Sequence, residues 1–135
     1  MIDIGVLKES VAGENRVVLT PSNAEKLVKA GHRVLVELNA GLSAGFPDVA
    51  YTESGCELRS RFEVVTGARV LAAVNTPNVG PQPNPLLENL TEAHTVIGFA
   101  DPFSTESAVN VYAGTGASLF AIELMPRITR AQSMD

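Results

Sequence analysis

Apolar residues fall along this chain in two rhythms: short runs of four to seven, and longer stretches in which they recur at helical spacing. Residues 2–7 form the first short run and predict a central parallel strand. A polar loop over 8–16 contains Gly13, and the apolar residues 17–19 follow it. Thr20-Pro21-Ser22 reads as a helix start, a hydroxyl cap followed by proline at the first helical position. Ala24, Leu27, Val28 and Ala30 then recur at helical spacing, and Gly31 ends the helix in left-handed geometry. Residues 32–38 alternate into a second strand, with Val34 and Val36 on one face and Leu35 on the other.

The alternation continues beyond that point. The glycine-bearing loop 39–45 leads to Phe46-Pro47-Asp48, which opens a short helix through Tyr51 closed by Gly55. Residues 56–58 predict a brief strand, and 62–66 a helical turn or two. The unbroken apolar run 70–74 predicts a buried parallel strand. Residues 75–85 hold four prolines and a glycine and predict a loop. A short helix over 86–90 and a strand over 95–99 come next, the strand being stopped by Asp101-Pro102. Ser104 or Thr105 caps a helix to about Ala113, with Glu106 in its first turn where the helix dipole favours a carboxylate. Gly114 and Gly116 turn the chain into a last strand over 118–122. Strands alternating with helices predict one α/β domain over 1–135, a parallel sheet with helices on both faces in three layers, flavodoxin-like or Rossmann-like. Ligands in such sheets sit beyond the carboxyl ends of the strands, here the segments 8–16, 39–45, 75–77, 101–103 and 123–135.

Composition narrows the function classes. The formal net charge is −5. With no basic stripe and no aromatic–basic interleaving, nucleic acid is not expected as a partner. The single cysteine, Cys56, cannot form an internal disulfide, and its apolar neighbours predict a buried thiol in a reducing cytoplasm. Asp3 inside the first apolar run, with Lys8 and Glu9 after it, predicts no signal peptide. The most apolar long window, 108–125, contains Asn110, Glu123, three hydroxyls and two glycines, and reads as helix, turn and strand instead of a membrane span.

Few residues announce chemistry. Gly114-Thr115-Gly116 supplies G-x-G, but Leu119 stands where the third glycine belongs, and the segment leads into a strand instead of following one. The chain therefore has no dinucleotide fingerprint. Each of the two histidines, His32 and His94, directly precedes a predicted strand with no metal-spaced partner set, and surface structural roles are expected for both. Glu14 and Arg16 could pair with each other or bind an anion. The last stretch, Glu123 through Asp135, concentrates Arg127, Arg130, Gln132, two hydroxyls and Asp135 after the break at Pro126, a set able to meet something polar. If the segment after Pro126 is helical, Arg127 and Arg130 share a face, with Arg127 near the helix start, in reach of a carboxamide, carboxylate or phosphate.

Lys8-Glu9, then Gly13-Glu14-Asn15-Arg16-Val17 and Thr20-Pro21, resemble the opening of the family that joins alanine dehydrogenases with the NAD(H)-binding α subunit of proton-translocating NAD(P) transhydrogenase. Val36-Glu37, Ala40-Gly41, Ala44-Gly45-Phe46, Asp48, Tyr51 and Gly55 continue the resemblance, which covers essentially the whole chain. The ending, Glu-Leu-Met-Pro-Arg-Ile-Thr-Arg-Ala-Gln-Ser-Met-Asp over 123–135, is similar to the transhydrogenase branch. That resemblance implies hydride transfer between NAD(H) and NADP(H) coupled to proton translocation, with Arg127, Gln132 and Asp135 beside the nicotinamide ring and no catalytic acid or base. It implies as partners a following Rossmann domain of the same parent chain that holds most of NAD(H), an NADP(H)-binding component, a membrane subunit and a second α subunit in a homodimer. The implied location is cytoplasmic, peripheral to the inner membrane. This chain alone is then expected to be inactive and to bind NAD(H) weakly or not at all. The alanine dehydrogenase branch uses a lysine and a histidine at places that here hold Asn75 and Ala100, neither able to take those roles, so that only Arg16 of the substrate set is left. An alanine dehydrogenase-like enzyme and a non-catalytic scaffold of the same fold are the alternatives.

Overall fold

Strand β1 (Asp3–Val6) lies in the middle of the sheet and pairs on both sides, with β2 (Arg33–Glu37) and with β4 (Val70–Asn75). The computed structural model describes residues 1–75, 89–99 and 114–122. Within them, β3 (Glu57–Arg59), β5 (Thr95–Phe99) and β6 (Ser118–Ala121) complete a six-stranded sheet in the order β3-β2-β1-β4-β5-β6, and every pair is parallel. Of the two arrangements expected, this order is the Rossmann one. The chain starts at the centre, builds outward to β3, then crosses back to β4 beside β1. The junction of β1 and β4 is therefore the topological switch point.

The helices begin and end where local chemistry directs. Helix α1 (Pro21–Lys29) opens with the Thr20 hydroxyl accepting from the Asn23 amide at 3.3 Å and with proline in its first turn. Gly31, at φ +96°, follows its C-cap. Helix α2 (Asp48–Glu53) has Asp48 in its first turn, whose Oδ1 also accepts from the Asn39 amide at 2.9 Å. Helix α3 (Arg61–Gly67) carries a reciprocal cap in which the Ser60 hydroxyl accepts from the Glu63 amide and Glu63 accepts from Ser60.

These helices cover both faces. Val6, Val34 and Val36 meet Ala24 of α1 and Tyr51 of α2 on one face, with Cys56 buried among them. Leu35 and Leu71 meet Val64 and Val65 of α3 on the other, together with Val96 from β5. The opposed directions of Leu35 and its two valine neighbours are those the alternation predicts. The Tyr51 hydroxyl donates to the Leu19 carbonyl at 2.7 Å, tying α2 to the apolar segment before α1.

Local differences from the sequence reading are small. The third strand starts at Glu57, one residue later than expected, and α3 begins at Arg61 because Ser60 caps it. His94 is a correction: it is buried, not on the surface. Its Nε2–H donates to the Val65 carbonyl at 2.8 Å and its Nδ1 accepts from the Thr91 amide at 3.0 Å, so the ring joins α3 to the start of β5. The expected helix over 104–113, the stop at Asp101-Pro102, most of the loop 75–85 and of the short helix 86–90, Ala100, and the terminal stretch with Arg127, Arg130, Gln132 and Asp135 lie outside the described residues.

A close contact between the layers is at Gly5 of β1. A β-carbon there would sit 2.7 Å from Val64 Cγ1, 2.9 Å from Ala68 Cβ and 2.9 Å from Leu71 Cδ2. Only a hydrogen lets α3 approach the central strand. Gly5→Ala should therefore destabilise the fold by about 1–3 kcal/mol through overpacking. Urea unfolding measures it, and an unchanged midpoint would show that α3 can move aside freely.

Candidate functional site

The sheet directs attention to the carboxyl ends of β1 and β4, where an α/β sheet opens its crevice. β1 runs into Leu7, Lys8 and Glu9, and β4 ends at Val74 and Asn75. Glu9 reaches across this junction. Its Oε2 accepts from the Val74 amide and its Oε1 from the Asn75 amide, both at 2.9 Å. It thereby satisfies the N–H groups at the end of β4. Glu14, further along the same loop, accepts from Asn75 Nδ2 at 2.9 Å, and the same nitrogen donates to Glu9 Oε1 at 3.3 Å. Arg16 grips Glu14 in turn, with Nε at 2.9 Å, Nη2 at 2.7 Å and its own amide at 3.1 Å. The alternatives left open for Glu14 and Arg16 resolve into a pair with fork geometry.

A second carboxylate anchor stands at the end of β2. Glu37 is buried, and its Oε2 accepts from the Lys8 amide at 2.6 Å and from Arg61 Nη1 at 3.0 Å. Arg61 also donates to the Lys8 carbonyl at 3.2 Å. In a dinucleotide-binding Rossmann unit, an acidic residue beyond the first helix takes the ribose hydroxyls, and a glycine turn after β1 admits the pyrophosphate. Here the carboxylate at the end of β2 holds the β1 loop itself, and that loop begins Lys8-Glu9-Ser10. The described residues do not fit the adenosine half of a dinucleotide. The Asn75 side chain at this junction is half-buried at the end of its strand.

Other parts of the fold show less chemistry. A cavity of about 450 Å³ lined by Asp3, Thr66, Arg69, Thr91 and His94 opens at the amino ends of the strands, away from the switch point. Its histidine is already hydrogen-bonded on both nitrogens. Burial pushes the Cys56 thiol up to about 11, the state of an unreactive core cysteine. Among the described residues no cluster of His, Cys, Asp and Glu could hold a metal ion.

Sequence reasoning singled out Glu14 and Arg16 and the structure brings them together; it does not place Arg127, Gln132 or Asp135, which lie outside the described residues. Glu9, Glu37 and Arg61 were not recognised as parts of the site. Glu37 had a readable signal, an acid directly after the apolar run Val34-Leu35-Val36. Glu9 had only its place in the first loop and in the Lys8-Glu9 pair of the family resemblance.

The two site glutamates differ electrostatically. Hydrogen bonds from the Arg16 side chain hold Glu14 down at about 2, against an ordinary 4.5. Burial raises Glu9 above its ordinary value, opposed by the Asn75 and Val74 amides and reinforced by the nearby Glu14 charge. Glu14 thus stabilises the fold above pH 4.5, and this contribution is lost as pH falls toward 2. Glu9 acts in the opposite sense: its contribution is full below 4.5 and is lost as pH rises through its raised value. Because Arg16 is largely exposed, solvent screening keeps the Glu14 contribution small. NMR titration of the side-chain carboxyls should show Glu14 changing near pH 2 and Glu9 above 4.5, with Arg16→Gln returning Glu14 toward its ordinary range. A Glu14 that titrates at 4.5 in the unsubstituted protein would contradict the pairing.

Known proteins resemble this chain in sequence and fold. The chain is 35% identical over 133 residues to the NAD(P) transhydrogenase subunit alpha of Cereibacter sphaeroides, covering 98% of this chain and 24% of that protein. It superposes on the crystal structure of a transhydrogenase from Sinorhizobium meliloti with a TM-score of 0.88 and 35% identity, over 98% of this chain and 38% of that one. A shorter match, 45% identical over 74 residues, joins it to the alanine dehydrogenase of Bacillus subtilis, over 55% of this chain and 20% of that enzyme. The chain thus spans about a quarter of the transhydrogenase subunit to which it is similar. The family described as "Alanine dehydrogenase/PNT, N-terminal domain" matches residues 5–135, and the chain belongs to it.

Proposed function

We propose that this domain is part of the NAD(H)-binding α component of a proton-translocating NAD(P) transhydrogenase and forms one wall of its nicotinamide cleft. The observation that carries this reading is similarity to a transhydrogenase α subunit along nearly the whole chain, at 35% identity and 98% coverage. The state of the switch point supports it. A domain whose β2 carboxylate and β1 loop are engaged with each other has no room for a dinucleotide of its own, and is suited to flank one held elsewhere. In this reading the adenosine half of NAD(H) belongs to the Rossmann domain that follows in the family, NADP(H) sits on a partner component, and a membrane subunit moves the proton. The α subunit pairs as a homodimer on the cytoplasmic side of the inner membrane. Among the described residues no helix is long and apolar enough to cross a membrane.

Direct hydride passage between two nicotinamides asks little acid–base chemistry of the protein and much positioning. Arg127, Gln132 and Asp135 are the residues proposed to meet the nicotinamide, the first two through groups that can hold a carboxamide. The local match to an alanine dehydrogenase favours a second reading, amino-acid dehydrogenation. Against it stands Asn75, uncharged, with both amide hydrogens engaged by carboxylates, where that branch uses a charged side chain.

Calorimetry with NADH on this chain, and on a chain extended through the next domain of the parent, tests the proposal. Binding is expected only for the extended form. Arg127→Ala in it should weaken affinity about tenfold or more, the usual cost of losing a hydrogen bond from a charged donor. Comparably tight binding by this chain alone would overturn the half-site reading, and alanine-dependent reduction of NAD by the full-length parent would replace it with the second one.

A further inference from the structure

Asn75, half-buried at the carboxyl end of β4, has its amide nitrogen engaged by the loop after β1. Its amide nitrogen has two hydrogens, and two carboxylates take them, Glu14 Oε1 at 2.9 Å and Glu9 Oε1 at 3.3 Å. An ionised carboxylate oxygen only accepts, so the nitrogen must face this pair and the orientation of the amide is decided by chemistry. The carbonyl oxygen Oδ1 is thereby turned away from both glutamates, and no described residue donates to it. Neither carboxylate depends on Asn75 Nδ2 for its own position: the Val74 and Asn75 amides pin Glu9, and the Arg16 side chain and amide pin Glu14. Among the described residues the oxygen is thus an acceptor without a donor, at the carboxyl end of β4 where an α/β fold places ligands.

The surroundings define what it can take. Oδ1 repels a carboxylate or phosphate, and the two flanking glutamates oppose an anion further. Arg16 already grips Glu14 with two side-chain nitrogens. Resting on the transhydrogenase reading, we propose that Asn75 Oδ1 accepts a hydrogen bond from an N–H or O–H of the nicotinamide–ribose end of a pyridine nucleotide, and that Glu9 and Glu14 are positioning residues that aim it. The same arrangement makes Asn75 a specificity residue. It favours an uncharged donor and excludes the 2-oxo acid carboxylate that an amino-acid dehydrogenase must bind.

The test uses the α subunit extended through its following domain. Ligands are NADH, its 3-acetylpyridine analogue, in which a methyl replaces the carboxamide nitrogen, and ADP, which carries only the adenosine half. Asn75→Ala should weaken NADH binding about two- to tenfold, the loss of one neutral hydrogen bond, and leave ADP unchanged. Glu14→Gln removes one of the two carboxylates that fix the amide, the one at the shorter distance, so it should weaken NADH as well. Combined with Asn75→Ala, it should add nothing, because both changes remove the same contact. An Asn75→Ala penalty that vanishes with the acetylpyridine analogue assigns the donor to the carboxamide, and one that persists assigns it to a ribose hydroxyl. Equal weakening of ADP would mean that Asn75 only supports the fold, and would overturn the proposal. So would unaltered NADH affinity in Asn75→Ala while the unsubstituted subunit binds normally. An unsubstituted subunit that binds no NADH would remove the transhydrogenase reading itself, and this proposal with it.

Discussion

Two carboxylates, Glu9 and Glu37, hold the loop after β1, and the rest of the switch point depends on them. Each satisfies backbone amides that would otherwise be left unpaired where strands end: Glu37 that of Lys8, and Glu9 those of Val74 and Asn75. A buried carboxylate is tolerated only when it is hydrogen-bonded in this way. The bonds run across strands, from β2 to the β1 loop and from that loop to β4. They therefore determine where the loop lies relative to both neighbours, and with it the position of Glu14, Arg16 and the Asn75 amide.

The packing beneath makes that arrangement stiff. β1 pairs on both sides and is covered by helices on both faces, with α3 drawn so close that only glycine fits at position 5. A strand enclosed in this way gives its loop a firm base. The chemistry at the loop can then be a matter of small distances. The fold's usual nucleotide crevice is present in outline, yet its acidic residue and its first loop are turned on each other. The same Rossmann topology that elsewhere forms a whole dinucleotide site has these two groups bound to each other here. This illustrates that the site, and not the fold, carries function.

Much of the architecture was legible because it follows from local rules. The alternation of Val34, Leu35 and Val36 set the two faces of β2, and Thr20-Pro21 and Gly31 marked the ends of α1. Period-2 and period-3.6 patterns report burial directly, since each residue's direction depends only on its own element. His94 was misjudged for the same reason. Its neighbours in sequence resemble those of a surface turn, and the Val65 carbonyl that accepts its proton lies far away in sequence.

The sequence by itself therefore determined the order of strands and helices among the described residues, the parallel α/β class, the buried thiol, the absence of a glycine fingerprint and the family resemblance, all readable from neighbouring residues. Only the tertiary structure decided which strands flank β1, and so where the switch point falls. It also decided that Glu9 reaches Asn75 across 66 positions of chain, and that Glu37 closes on the loop instead of facing a ligand. Those contacts are long-range hydrogen bonds, set by how the sheet brings distant loops together, and no spacing along the chain encodes them.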